Sequence, residues 1–157
     1  MDTSGVMLLA RTKDAERFLH KQFREKLVEK VYYARVWGNL THGESGRIDL
    51  PIICDWPNRP KQKVCHETGK SSQTRFECIG TRNFASTVRL IPETGRTHQL
   101  RIHMDQLGHP ILGDDLYGTP ESFGASSSLQ LHAANIKFTH PELQQKVQYE
   151  VKCPWDA

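Results

Sequence analysis

Apolar positions along the chain follow two periods in turn. Residues 5–10 form a short unbroken apolar run, the pattern of a buried strand. Residues 14–24 switch to a helical period: Ala15, Phe18, Leu19 and Phe23 fall near one face, while Lys13, Glu16, Arg17 and Lys21 face water. β-branched and aromatic residues crowd 31–37, which predicts a strand that Gly38 ends. A turn at 43–46 leads into a short strand at 48–53. Further strands are predicted at 74–79 and 86–91, joined through Gly80-Thr81-Arg82-Asn83, and at 129–138 and 147–152. Glu93-Thr94-Gly95-Arg96 reads as a turn. Thr97 can cap a helix running to Leu107, with Leu100, His103, Met104 and Leu107 on one face. Gly108 stands where a helix C-cap belongs. Two prolines keep 55–63 irregular, and 122–128 is a Gly/Ser-rich surface loop.

Strands outnumber helices and several are hairpin-linked. The pattern predicts an α+β fold with a mixed, mainly antiparallel sheet and a few packed helices, as one domain over 1–157. It argues against a doubly wound parallel sheet, since no glycine-rich phosphate fingerprint follows the first strand.

With 37% hydrophobic and 25% charged residues, the chain falls in the soluble globular class rather than the disordered one. No apolar run approaches membrane-spanning length, and residues 1–5 carry neither a basic n-region nor a cleavage pattern. Cys54, Cys65, Cys78 and Cys153 make no C-x-x-C pair and no zinc spacing, which suits reduced structural thiols in a cytoplasmic protein. A net charge of +3 permits a nucleic-acid partner without demanding one. The loop at 55–63 concentrates that charge in Arg59, Lys61 and Lys63.

Three features could carry chemistry. His98, His103 and His109 invite a metal reading, but His98 and His103 are five apart on a helix and point about 140° away from each other. A packed His103 and a capping or substrate-facing His98 is the simpler alternative. Arg96 and Arg101 flank the turn-helix. Spacing alone favours an i,i+4 pair of Arg101 with Asp105 on the helix surface; the alternative is an arginine fork for a carboxylate or phosphate. Tyr32 and Tyr33 are neighbours on a strand and point to opposite faces, so one can be core while the other meets a cleft. No Ser-His-Asp order, paired-carboxylate signature or Cys-His nucleophile stands out.

Gly95-Arg96-Thr97-His98-Gln99-Leu100-Arg101-Ile102-His103 resembles the G-R-[ST]-H-Q-[IL]-R-[IVL]-H signature of the RluA family of RNA pseudouridine synthases. Leu107-Gly108-His109-Pro110-Ile111-Leu112-Gly113-Asp114 continues it. Lys30-Val31-Tyr32 is similar to the family's K-x-Y strand, Leu131-His132-Ala133 to its late L-H-A strand, and Asp2-Thr3-Ser4-Gly5 to the end of its H-R-L-D-x-x-T-S-G block. The likeness runs from Met1 to the C-terminus. The stretch 49–63 resembles the RluA branch, whose members modify a tRNA anticodon stem-loop and a hairpin of 23S ribosomal RNA.

The resemblance implies isomerisation of uridine to pseudouridine in tRNA and/or 23S rRNA stem-loops, with no cofactor, metal or membrane, by a monomer if complete. It implies that Tyr32 packs on the flipped base and is a candidate proton-transfer group, and that Arg101 pairs with the catalytic aspartate. Arg59, Lys61, Lys63, Arg96 and His98 become expected RNA contacts. One departure accompanies it. Thr3 matches the threonine of H-R-L-D-x-x-T-S-G, so the family's aspartate would fall immediately before Met1. Asp2 occupies an x position. The expectation is a catalytic domain lacking its first strands and its nucleophile, which as given has little activity; the alternative is a non-catalytic RNA-binding remnant. Such a sheet is expected to expose an unpaired edge and part of its core.

Overall fold

A computed structural model describes residues 2–155. Six strands form one path across the main sheet. The first is β1 (Ser4–Gly5). β2 (Glu29–Trp37), β3 (Ser45–Asp49), β6 (Gln73–Arg82), β7 (Ala85–Pro92) and β8 (Leu131–Thr139) complete it, in the order β1-β8-β2-β7-β6-β3. β9 (Lys146–Glu150) is a seventh strand, paired with the second half of β8, and only the β1–β8 pair is parallel. β4 (Ile52–Cys54) and β5 (Gln62–Val64) make a separate hairpin. Three helices complete the fold: α1 (Lys13–Arg24), α2 (Gln99–Gln106) and α3 (Pro120–Gly124). The mixed, mainly antiparallel α+β architecture is the one the strand pattern predicts.

The centre of the sheet is where the alternation is cleanest. Ala34 and Val36 of β2 and Val88 and Leu90 of β7 are all fully buried. They pack with Ile48, Phe76 and Cys78 against Leu100 and Met104 of α2. A second, smaller cluster joins Leu19 of α1 to Val28, Ile136 and Phe138. α1 starts where Thr12 accepts a hydrogen bond from the Ala15 N–H at 3.2 Å. α2 ends at Gly108, φ +86°, in a Schellman arrangement: the His109 N–H donates to the Met104 carbonyl and the Gly108 N–H to that of Asp105.

Several expectations are corrected. The run 5–10 is not a buried strand: after Gly5 only the Val6 N–H bonds to β8, and Met7 and Leu9 are exposed. Gly5 sits at φ +102°, with a Cβ position only 2.1 Å from the Ala133 carbonyl oxygen, so the chain turns off the sheet there. Apolar sequence signals a wish for burial and not whether a partner surface exists. The strand at 48–53 is split by Pro51 into β3 and β4, which belong to different sheets. The segment 55–63 is partly regular, with a 3₁₀ turn at Trp56–Asn58 and the start of β5. Thr97 does not cap α2; His98 holds that place in a left-handed conformation, φ +55°, without a side-chain cap. The predicted loop at 122–128 begins inside α3, which Thr119 caps. Phe23, expected on the packed face of α1, is exposed.

Candidate active site

A cavity of about 620 Å³ opens between β2, the turn after β7, the first residues of α2 and the loop after Gly113. Tyr32, Arg96, His98 and Arg101 all line it. Asp2, Thr3, Lys30, Thr94 and Asp115 are among the other polar residues of its wall, and Pro60 reaches it from the β4–β5 hairpin.

The turn is built by Gln99, which is buried and uses its whole amide. Its Oε1 accepts from the Thr94 hydroxyl at 2.7 Å and from the Arg96 N–H at 3.0 Å. Its Nε2 donates to the Gln73 carbonyl at 2.9 Å and to Thr74 Oγ1 at 3.0 Å. The turn is thereby fastened to β6, and the left-handed His98 swings the chain into α2. Two residues after Gln99, Arg101 points into the protein rather than out of it.

Arg101 is 9% exposed and Asp114 1%. Nε donates to Asp114 Oδ2 at 2.8 Å and Nη2 to Asp114 Oδ1 at 2.5 Å, a two-point fork. Nη2 also reaches the exposed Asp115 at 2.9 Å. Asp114 is held in turn by the N–H groups of Leu116 and Tyr117, both 2.9 Å from Oδ1. Burial alone would lower the Arg101 pKa; the bonds to Asp114 and Asp115 outweigh it and raise it further. The surface pair with Asp105 does not form. Arg101 Nη1 has no hydrogen-bond partner among the described residues.

Tyr32 packs on the central core and faces the cavity, and burial raises its pKa, so it stays a phenol near neutrality. His98 Nδ1 lies 2.8 Å from the Tyr117 hydroxyl, which accepts from the Gln62 N–H at 2.8 Å. Either group can donate in the His98–Tyr117 bond, according to the tautomer of the imidazole. Burial, then the charge of Arg101, lowers the His98 pKa against the pull of Asp114 and Asp115. His103 is turned to the opposite side, fully buried, with Nδ1 2.8 Å from Thr74 Oγ1 and Nε2 3.2 Å from Ser72 Oγ. The two histidines diverge, and among the described residues no three His, Cys, Asp or Glu side chains converge on a point.

The hairpin cations are not in the cavity wall. Arg59 lies over the exposed Trp56 ring, 3.6 Å from its centroid, and Lys63 pairs with Asp55 at 3.3 Å. Lys61 stands between them and adds to the positive field at Asp55. Tyr117, by bonding Gln62, ties this hairpin to the turn-helix. Gln99, Asp115 and Tyr117 were not legible as site residues. Asp114 had one available signal: an arginine set among buried helical positions needs a carboxylate, and Asp114-Asp115 is the next acidic pair along the chain.

A model of the RNA pseudouridylate synthase family matches residues 1–106, and the chain belongs to that family. At 59% identity over 143 residues, covering 90% of this chain and 69% of the relative, it is similar to the dual-specificity RNA pseudouridine synthase RluA of Yersinia pestis. The Escherichia coli protein of the same name is 56% identical, over 90% of this chain and 64% of the relative. Among solved structures, human RNA pseudouridylate synthase domain containing 1 superposes with a TM-score of 0.79 at 28% identity, over 92% of this chain and 62% of that one. A second human structure, domain containing 4, shares the fold with a TM-score of 0.71 at 23% identity. The chain spans 69% of the length of the Yersinia pestis relative and 57% of that of the Vibrio cholerae protein of the same name.

Proposed function

We propose that the cavity receives a uridine extruded from an RNA stem-loop and that the protein isomerises it to pseudouridine. The observation that carries this is the convergence of Tyr32 with a buried, doubly anchored Arg101 on one cavity. The reaction breaks the N1–C1′ bond, turns the uracil over and joins C5 to C1′. It is redox-neutral, so it calls for no cofactor. A base inside a helix is out of reach, which requires a distorted loop and a pocket for the flipped nucleotide. Tyr32 offers a flat, protonated ring to that base. Arg101 is held rigid by Asp114 while Nη1 remains for an anionic group, such as the family's aspartate. Arg96 and His98 at the rim, and Arg59, Lys61 and Lys63 on the hairpin, supply contacts to the RNA backbone.

The relatives' dual specificity and the resemblance of 49–63 make a tRNA anticodon stem-loop and a 23S rRNA hairpin the substrates of choice, in the cytoplasm where both reside. The test is tritium release from stem-loop RNA labelled at C5 of uridine, using the full gene product. Tyr32→Phe is expected to slow release by about 10²- to 10⁴-fold if the phenol moves a proton. Release from neither RNA would overturn the assignment, and an unchanged rate in the variant would remove the proton-transfer role from Tyr32.

A further inference from the structure

Lys30 sits two residues before Tyr32 on β2 and lines the same cavity. Its ammonium is largely withdrawn from water, and burial lowers its pKa. A lysine so placed normally has a carboxylate beside it. Here the polar partner among the described residues is one neutral group: Nζ donates to the Thr94 carbonyl at 3.3 Å. The Phe23 ring, 5.8 Å from Nζ, adds a weak cation–π contact. None of the ion pairs among the described residues includes Lys30, and no charged neighbour contributes to its shift.

Its position narrows what the missing anion can be. Nζ lies directly under the turn, 3.6 Å from where a Cβ on Gly95 would stand, and Gly95 and Arg96 above it are exposed. Lys30 is therefore at the rim of the cavity, while Arg101 is buried in its wall. Alternate strand residues are separated by about 6.7 Å. That is the scale on which a nucleotide's own phosphate stands off from its base. An ammonium is a point charge with three donors, suited to a phosphate without the two-point geometry a base edge would need.

We propose that Lys30 binds the backbone phosphate of the extruded nucleotide whose base packs on Tyr32. This rests on the RNA-site reading given above. The phosphate replaces the lost hydration of the ammonium, and the pair measures one nucleotide, base to phosphate, along one strand. Gly95 places no side chain above Nζ; a Cβ there would stand 3.6 Å from it, in ordinary contact.

The experiment is a salt titration of stem-loop RNA binding to the chain and to two variants, Lys30→Met and Lys30→Arg. Lys30→Met is expected to reduce the slope of log K against log[KCl] by about 0.7 to 1, the loss of one phosphate contact. Lys30→Arg is expected to keep the parent slope. Thermal unfolding of both variants confirms that they fold, since removing an unpaired buried charge leaves no charged partner stranded. An unchanged slope in Lys30→Met overturns the proposal even if turnover falls, because Lys30 would then touch the base. If the parent chain shows no salt-dependent RNA binding, the RNA-site reading itself fails and this inference with it.

Discussion

Around Arg101 the polar groups are buried and bonded, whereas around α1 the apolar groups meet solvent. Gln99, Arg101, His103 and Asp114 are all buried and hydrogen-bonded within the fold, with Arg101 Nη1 the exception left without a partner among the described residues. Met7 is 57% exposed and Leu9 76%, with Phe23 and Leu27 also at the surface nearby. A cavity with apolar walls from Val6, Leu8, Phe23 and Ile136 runs beside β1 and adjoins the proposed site through Lys30 and Tyr32. The first region is specified from within: each polar group needs its partner, so one arrangement is far better than its neighbours. The second obtains little from its own apolar run.

If this contrast is correct, damage should be unequal. Asp114→Ala strands a buried guanidinium and is expected to cost about 3–5 kcal/mol in urea unfolding, whereas Asp115→Ala, at an exposed carboxylate, should cost under about 1 kcal/mol. Gln99→Ala leaves several partners of the turn unsatisfied and is expected to lose about 1–3 kcal/mol, with weaker RNA binding because Arg96 and Gly95 are no longer held. Acid should act through His103. Burial lowers its pKa below 6.5, against the Leu50 carbonyl and Asp49. The unfolded chain therefore binds the proton first, and stability present above about pH 6.5 is lost as pH falls toward the depressed folded value. His103→Gln should flatten that part of the pH–stability curve. On the other flank, Leu9→Ser is expected to shift stability by no more than about 0.5 kcal/mol; a loss equal to that of Gln99→Ala would erase the distinction.

The central strands were legible because alternation along 31–37 and 86–91 reports burial on one face directly. α1 was legible from its period. The split at Pro51 was hidden because apolar residues continue on both sides of it, at Ile48, Leu50, Ile52 and Ile53, and only tertiary pairing tells that β3 and β4 join different sheets. Arg101 shows the same limit at the site. Local spacing offers it Asp105 at no cost in chain closure, yet the fold turns it inward to Asp114, thirteen residues on. That outcome depends on the left-handed His98, which sets the rotation of α2 and which no propensity signalled. Strand spacing left open which of Tyr32 and Tyr33 meets a cleft, and the family resemblance chose Tyr32; Lys30, two residues before it, was given no role, because a lysine on a strand reads as solvent-facing until the turn above it is seen.

The most direct test of the uridine site is zero-length photocrosslinking. Stem-loop RNA carrying 4-thiouridine at single loop positions is bound to the chain, irradiated and mapped by mass spectrometry. One loop position is expected to crosslink to Tyr32 or its cavity neighbours, and Lys30→Met should weaken the yield without moving the site. Crosslinks confined to the 56–63 hairpin or to the α1 flank, with none in the cavity at any loop position, would contradict the site placed between Tyr32 and Arg101.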